Sequence, residues 1–152
     1  MSASETIKDV REHPFLREFP EDVVDRLVQL ATIREYEAGA RLCREGDLAD
    51  RFFLILDGGV AVELHAPHAG KRRIQTLGAG DAVGWSWIVP PYRWQFDVIT
   101  TQRSRVAEFD AGQLRELCDR EHTVGYLVCR RLLEVLARRL AGTRLQLLDL
   151  YA

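Results

Sequence analysis

Apolar residues recur with a different spacing in three successive parts of the chain. In residues 1–31 they repeat every three or four positions, as between Val23 and Leu27, which is the spacing of an amphipathic helix. In residues 33–110 short apolar runs are separated by glycine-rich turns, as in a β-sandwich or barrel. After this part the helical spacing returns. The pattern therefore predicts a helical lead-in over 1–31, a β-roll over 33–110 and C-terminal helices over 111–152.

The apolar runs of the predicted β-roll are short and follow one another at intervals of about 8–12 residues. The run Val60–Leu64 alternates large apolar residues with smaller or polar ones, as expected for a strand with one buried face. Pro67 and Gly70 interrupt the pattern, so residues 65–73 are predicted to form a hairpin loop. The predicted strands are Phe52–Leu56, Val60–Leu64, Ile74–Leu77, Phe96–Thr100 and Val106–Phe109.

The C-terminal part is predicted to form a short helix over 113–118 and a long helix over about 120–150. Apolar positions step by three and four residues along the long helix, forming a seam that is typical of paired helices. A second stripe, formed by Val128, Leu132 and Val135, lies beside the seam. One stripe can pack on the β-roll, and the other requires a different partner, so we expect a homodimer. The predicted dimer contacts are Cys129, Leu133, Leu136, Leu140 and Leu147.

The amino-acid composition is that of a globular protein and not of a membrane or zinc-binding one. The chain has 152 residues, of which 47% are apolar and 29% charged, as in an ordinary globular domain. No apolar run approaches the ~20 residues of a membrane span, and from the polar start we expect no signal peptide. The three cysteines, Cys43, Cys118 and Cys129, are odd in number and lack zinc-site spacing. We therefore expect reduced thiols in a cytoplasmic protein without a membrane segment.

Glycine motifs recur between the predicted strands, and an aromatic pair, Phe52-Phe53, lies among them. The motifs are Glu45-Gly46-Asp47, Asp57-Gly58-Gly59-Val60, Leu77-Gly78-Ala79-Gly80-Asp81 and Gly84. Over about residues 15–150 the sequence resembles the cyclic-nucleotide-binding domain, the sensor domain of the cyclic AMP receptor protein and of kinase regulatory subunits. The resemblance implies an α+β, mainly β fold: a jelly-roll-like β-roll with N-terminal helices and a long C-terminal dimerisation helix. It also implies a regulatory module and not an enzyme.

The phosphate-binding cassette of that family corresponds here to Gly84–Phe96, where the sequence departs from the family pattern. The resemblance implies a glutamate after Gly84 that holds the ribose hydroxyl, and a later arginine that pairs with the cyclic phosphate. Trp85 stands in the place of the glutamate, and Trp94, counted back from Val98, stands in the place of the arginine. An indole offers one N–H donor and no acceptor, so it replaces neither group. The loss of both contacts is expected to remove ordinary cyclic AMP binding.

Two interpretations of the altered cassette remain open. In the first, its aromatic side chains fill the vacated pocket and join the core. In the second, the pocket stacks a planar or apolar ligand, Arg93 or the helix N-terminus near Trp85 holds an anion, and Ser86 caps that helix or touches the ligand. Arg93 reaches the pocket only if the Pro90-Pro91 turn shifts the strand register by one residue. The candidate ligand-binding residues are Gly84, Trp85, Ser86, Trp87, Tyr92, Arg93, Trp94 and Gln95.

The sequence does not favour a metalloenzyme. His65 and His68 lie in the predicted hairpin loop, and their spacing suits neither a helix face nor a strand face. The His-x-His motif of a cupin-like metalloenzyme does not occur. We expect no catalytic residues, no metal site and no cofactor, although an unidentified small-molecule or nucleotide ligand is compatible with the cassette.

Nucleic-acid binding is also a weaker interpretation. The net charge is −2, from 21 basic and 23 acidic residues, whereas a dedicated nucleic-acid binder is expected to be positive. Arginines of the long helix, including Arg130 and Arg138, are interpreted as a solvated face. We expect no helix-turn-helix after the long helix. We expect a homodimer with no direct nucleic-acid contact; a regulatory protein partner, and a relation to transcriptional regulators that act with a partner, remain open.

Overall fold

A computed structural model of the chain describes residues 3–151. Within these residues the centre of the molecule is a roll of two antiparallel sheets with four strands each. The strands are β1 (Ala31–Tyr36), β2 (Arg41–Cys43), β3 (Arg51–Asp57), β4 (Gly59–Ala66), β5 (Gly70–Gly78), β6 (Ala82–Val83), β7 (Asp97–Thr100) and β8 (Ser104–Asp110). One sheet has the order β1-β8-β3-β6 and the other the order β2-β7-β4-β5.

Helices flank the roll at both ends of the described chain. The N-terminal group comprises α1 (Ala3–Arg11), a 3₁₀ turn (Pro14–Leu16) and α2 (Glu21–Leu30), and the C-terminal group comprises α3 (Ala111–Arg120) and α4 (His122–Tyr151). α2 begins directly after Pro20, with Glu21 and Asp22 near its positive end. The side chain of Asp110 caps α3 by accepting a hydrogen bond of 2.9 Å from the amide of Gln113.

α4 packs on the roll as far as Arg139, whose guanidinium donates a hydrogen bond to the carbonyl oxygen of Ala82 in β6. Val124, Val128 and Leu132 are buried, whereas residues 141–150 are all exposed. A Cβ added at Gly125 would lie 2.6 Å from the carbonyl oxygen of Cys118, so a glycine allows α3 and α4 to approach closely. The long helix therefore presents one buried stripe to the roll and leaves its remaining length outside it.

The N-terminal 3₁₀ turn is fixed to both the roll and α4. The guanidinium of Arg131 donates hydrogen bonds to the carbonyl oxygens of Pro14 (2.8 Å), Phe15 (2.7 Å) and Arg17 (2.7 Å). On the other side, the imidazole of His13 is 4% exposed and contacts the carbonyl oxygen of Ile55 in β3 at 3.1 Å. The side chains of His13 and Arg131 thus fix the turn to β3 and to α4.

The fold class predicted from the sequence is confirmed: the molecule is mainly β, with N-terminal helices and a long C-terminal helix. One local prediction is wrong, and three strands were missed. Residues 65–73 are not a loop, because β4 and β5 continue until only residues 67–69 connect them, and His65 pairs with Lys71 in the ladder. The strands β1, β2 and β6 were not predicted individually, because β2 and β6 are very short and β1 alternates exposed and half-buried residues.

Candidate functional site

The candidate site is the segment between β6 and β7, which corresponds to the phosphate-binding cassette singled out in the sequence. It contains a 3₁₀ turn (Ser86–Ile88) and then an extended stretch that leads into β7. Gly84, the first cassette residue, is buried and has a φ of +105°, a backbone conformation that residues with a side chain rarely adopt. The backbone therefore turns sharply at Gly84, and the cassette folds back over the roll.

Trp94 points into the roll. Its side chain is 3% exposed, and its ring stacks on Phe53 with centroids 6.4 Å apart and lies 6.0 Å from the ring of Phe96. Its backbone is held on both sides: the amide of Gly46 donates to the Trp94 carbonyl at 2.8 Å, and the Trp94 amide donates to the Asp47 carbonyl at 2.9 Å. The Glu45-Gly46-Asp47 motif thus fixes the segment that carries Trp94.

The carboxylate of Asp97 holds the other end of the same turn. It is 7% exposed, accepts a hydrogen bond of 2.7 Å from the amide of Glu45 and lies 3.0 Å from the ammonium of Lys71. Burial alone would raise the pKa of Asp97, but the Glu45 amide, Lys71 and the more distant Arg41 outweigh it, so the pKa is lowered. Asp97 is an ionised structural anchor that sequence analysis did not identify.

Trp87 is the second cassette residue in the core. It is fully buried, and its ring lies 5.4 Å from that of Phe52. Among the residues that the structure describes, neither the indole nitrogen of Trp87 nor the buried hydroxyl of Ser86 has a hydrogen-bond partner. Ser86 does not cap the 3₁₀ turn, because Trp85 occupies the cap position and makes no side-chain cap bond. A turn of three residues is also too short to act as a helix-dipole anion site.

The exposed rim of the cassette carries the remaining candidates. Arg93 and Gln95 are exposed, and Trp85 and Tyr92 are half-buried. Because Trp94 points inward, its neighbour Arg93 points outward, as the alternation of side chains along an extended segment requires. The register shift that would bring Arg93 into the roll is therefore not present.

Arg115 in α3 ties the cassette to the C-terminal helices. Its guanidinium donates a hydrogen bond of 2.6 Å to the carbonyl oxygen of Trp87 and lies 4.5 Å from the centroid of the Tyr92 ring. Nothing in the local sequence pattern distinguished Arg115 from the other arginines of the helical part. Its position requires the three-dimensional arrangement of α3 and the cassette.

The main groove of the described molecule lies elsewhere. It encloses about 1020 Å³ between α4, the β4–β5 hairpin and the N-terminal 3₁₀ turn. No residue of the segment 84–96 lines this groove. Trp87 and Trp94 are thus part of the core, and the candidate ligand residues lie outside this groove.

The predicted dimer contacts lie along α4. Leu133 is 65% exposed, Leu140 and Leu147 are also exposed, and Cys129 and Leu136 are half-buried. The three exposed leucines of this seam face outward, whereas Cys129 and Leu136 are partly covered by the chain itself. The homodimer itself stays a prediction.

The described part of the chain shows neither a metal-binding cluster nor a membrane-spanning helix. Among the side chains that the structure describes, residues 7–150, no three of His, Cys, Asp or Glu are grouped so that they could hold a metal ion. Nor does any helix in this range combine the length and apolar character needed to cross a bilayer.

Comparison with known proteins gives a family match over more than half of the chain. The profile of the cyclic nucleotide-binding domain family matches residues 33–121. Among solved structures, a cyclic nucleotide-binding domain from Methylobacillus flagellatus has a TM-score of 0.85 at 22% identity and covers 97% of this chain and 85% of its own. At this identity the likeness concerns the fold.

Two curated relatives have names that describe different functions. A CRP-like cAMP-activated global transcriptional regulator of Mycobacterium tuberculosis is 29% identical over 76% of this chain and 50% of its own length. Glutaminase 1 of Bradyrhizobium diazoefficiens is 28% identical over 87% of this chain and 21% of its own length. The chain thus spans half or less of the length of these relatives.

Proposed function

The chain belongs to the cyclic nucleotide-binding domain family, and we propose that it is a regulatory module whose cassette is filled by its own aromatic side chains and does not bind cyclic AMP in the usual way. The observation that carries this proposal is the burial of Trp94, which is 3% exposed between Phe53 and Phe96. We further propose that the module is not an enzyme and that it regulates by contact with another protein or by sensing a different ligand.

The position of Trp94 argues against a cyclic phosphate at the cassette. The family resemblance places an arginine there, whose guanidinium would pair with the phosphate through charge-assisted hydrogen bonds. Trp94 supplies no positive charge, and its ring occupies the space beside Gly84. Loss of one such contact costs roughly 2–5 kcal/mol. This single replacement therefore corresponds to a reduction in affinity of about thirty-fold or more.

The ribose side of the cassette is altered as well. Trp85 takes the place of the expected glutamate, and an indole has no acceptor for a ribose hydroxyl. Arg93, the nearest cation within the cassette, is exposed and lies outside the roll. The family resemblance implies one contact to the ribose and one to the cyclic phosphate. No neighbouring side chain of the cassette replaces either of them.

A second copy of the chain is the partner that the seam on α4 favours. The seam repeats at the spacing of paired helices, and its leucines are exposed on the single chain. In a two-fold dimer the same residues would face themselves and be buried together. The proposal places the dimer contact along Cys129, Leu133, Leu136, Leu140 and Leu147.

Calorimetric titration with cyclic AMP tests the proposed function. We expect no binding with a Kd below about 10 μM, because two polar contacts are missing. A tighter Kd would contradict the proposal. In that case the variant Arg93→Gln separates two explanations: loss of binding would assign the phosphate contact to Arg93, and unchanged binding would assign it to another group.

A further inference from the structure

Two of the three cysteines lie where α3 and α4 pack against each other. Cys118 is buried in the last turn of α3, and Cys129 is half-buried near the start of α4. A Cβ atom added to Gly125 would lie 3.3 Å from the Cβ atom of Cys118, so Cys118 packs directly on the glycine of α4. Cys129 follows Gly125 by four residues, which places both on one face of α4, one turn apart.

The direction of the two helices brings the cysteine side chains toward each other. Cys118 of α3 packs on Gly125 of α4, whereas Leu114 and Val128 together line a small apolar void of the core. The helices are therefore antiparallel along this contact. Side chains of an α-helix lean toward its N-terminus. Cys118 thus leans along α4 in the direction of Cys129, and Cys129 leans back over Gly125, where the absence of a side chain leaves room.

The acidity of the Cys118 thiol agrees with this arrangement. Burial is the main cause that raises the pKa of Cys118 to about 12, and the next cause is Cys129, ahead of the adjacent Asp119. A thiolate has this effect on a second thiol only at short range. The third cysteine, Cys43, lies in β2 and contacts the carbonyl oxygen of Phe96 through its thiol at 3.7 Å, so it belongs to another part of the fold.

We propose that Cys118 and Cys129 form a disulfide within one chain when the protein is exposed to a hydroperoxide, and that this modification links α3 covalently to α4. Arg115 connects α3 to the cassette, and α4 carries the predicted dimer contacts. The disulfide would therefore join the parts of the molecule that face these two surfaces. It goes beyond the proposed function, and the outcome of a titration with cyclic AMP does not decide it.

The reaction has two steps. Cys129 is the more exposed thiol, so its thiolate attacks one oxygen of hydrogen peroxide first; the O–O bond breaks, water is formed, and Cys129 becomes a sulfenic acid. The Cys118 thiolate then attacks the Cys129 sulfur, an S–S bond forms, and the sulfenic oxygen leaves as a second water. The two sulfurs lose two electrons, which the peroxide gains, and both thiol protons end in water.

Peptide mapping of the full chain after treatment with hydrogen peroxide tests the proposal. Trypsin cleaves after arginine, so Cys118 and Cys129 enter different peptides, residues 116–120 and 121–130. Remaining thiols are alkylated with iodoacetamide before digestion. We expect mass spectrometry without reduction to find these two peptides joined, and dithiothreitol to separate them. The peptide 42–44, which contains Cys43, is expected to be unlinked.

Single variants identify the two sulfurs. Cys118→Ala is expected to stop the reaction at the sulfenic acid of Cys129, which dimedone traps. Cys43→Ala is the matched control and is expected to give the same joined peptides as the unmodified protein. Oxidation of Cys129 without a bond to Cys118, or two unreacted thiols, would overturn the proposal. So would a peptide 121–130 joined to a copy of itself, which would place the bond between two chains.

Urea unfolding shows whether the bond fits the folded chain. A disulfide with little strain raises the urea midpoint, because it restricts mainly the unfolded chain. We expect a higher midpoint for the oxidised protein than for the reduced one, and we expect dithiothreitol to reverse the gain. Cys118→Ala treated with peroxide is expected to show no gain. A lower midpoint of the cross-linked protein would contradict the proposal, since it would mean that the two sulfurs meet only when the fold is distorted.

Discussion

The ring of Trp94 lies directly over Gly84: a Cβ atom added to Gly84 would stand 2.8 Å from the ring carbon Cη2 of Trp94. Gly84 also has a φ of +105°. Trp94 can therefore occupy this position only because Gly84, the first residue of the cassette, has no side chain. This relationship joins the two ends of the cassette into one packed unit, and it is open to direct tests.

Gly84→Ala is expected to destabilise the protein by about 2 kcal/mol or more, because the added methyl group strains the backbone and displaces the Trp94 ring. Urea unfolding measures this change. Gly142→Ala is the matched control: Gly142 lies within α4, nothing stands within 4 Å of its added Cβ, and the change is expected to stabilise α4 by up to about 1 kcal/mol. Equal stability of the Gly84→Ala variant and the unmodified protein would show that Trp94 does not pack on Gly84.

Ser86→Ala is expected to stabilise the protein by about 1 kcal/mol. The Ser86 hydroxyl is buried without a hydrogen-bond partner in the described chain, so its removal relieves a desolvation cost. Thermal or urea unfolding checks the sign. A loss of stability would indicate that the hydroxyl has a partner in solution. That result would favour the interpretation in which Ser86 contacts a ligand.

His13 is expected to make stability depend on pH. Burial is the main cause that lowers its pKa below 6.5, and its Nδ1 accepts a hydrogen bond of 3.0 Å from the Phe15 amide, so the folded state holds the neutral ring. The unfolded chain therefore takes up a proton first as the pH falls below 6.5. Stability is fully present above that value and falls by up to about 1.4 kcal/mol per pH unit below it, until the folded state also takes up the proton.

The comparison of urea midpoints at about pH 7.5 and pH 5.5 tests this effect. His13→Gln is expected to be less stable at the higher pH and to lose most of the pH dependence. His65→Gln is the control, because His65 is exposed on β4. If His13→Gln retained the full pH dependence, another group would be responsible.

Most of the fold could be predicted from the sequence because glycine motifs and apolar runs are local properties. The orientation of Trp94 and Arg93 could not be predicted, because side chains alternate along an extended segment and the register after the Pro90-Pro91 turn decides which of the two points inward. The contact of Arg115 with Trp87 and the groove beside Arg138 could not be predicted. Both depend on how helices that are distant in sequence pack on the roll, which no local pattern records.

The seam on α4 is expected to hold two copies together. Each buried leucine contributes ~1.5–3 kcal/mol, so light scattering is expected to give twice the chain mass of 17.4 kDa. The double change Leu136→Asp and Leu140→Asp places like charges close to each other across the axis and is expected to give monomers or insoluble protein. Leu145→Asp is the control, because Leu145 lies about 140° around the helix from Leu140. A mass of 17.4 kDa for the unmodified protein at tens of micromolar would refute the dimer.

Tryptophan fluorescence tests the filled cassette most directly, because all three tryptophans, Trp85, Trp87 and Trp94, lie within it. In the variant Trp85→Phe only the two buried indoles emit. We predict a blue-shifted emission that acrylamide hardly quenches and that does not change when cyclic AMP is added in large excess. A red-shifted, readily quenched emission, or a saturable change at micromolar cyclic AMP, would contradict the account, since either would mean that the pocket is open and the indoles do not fill it.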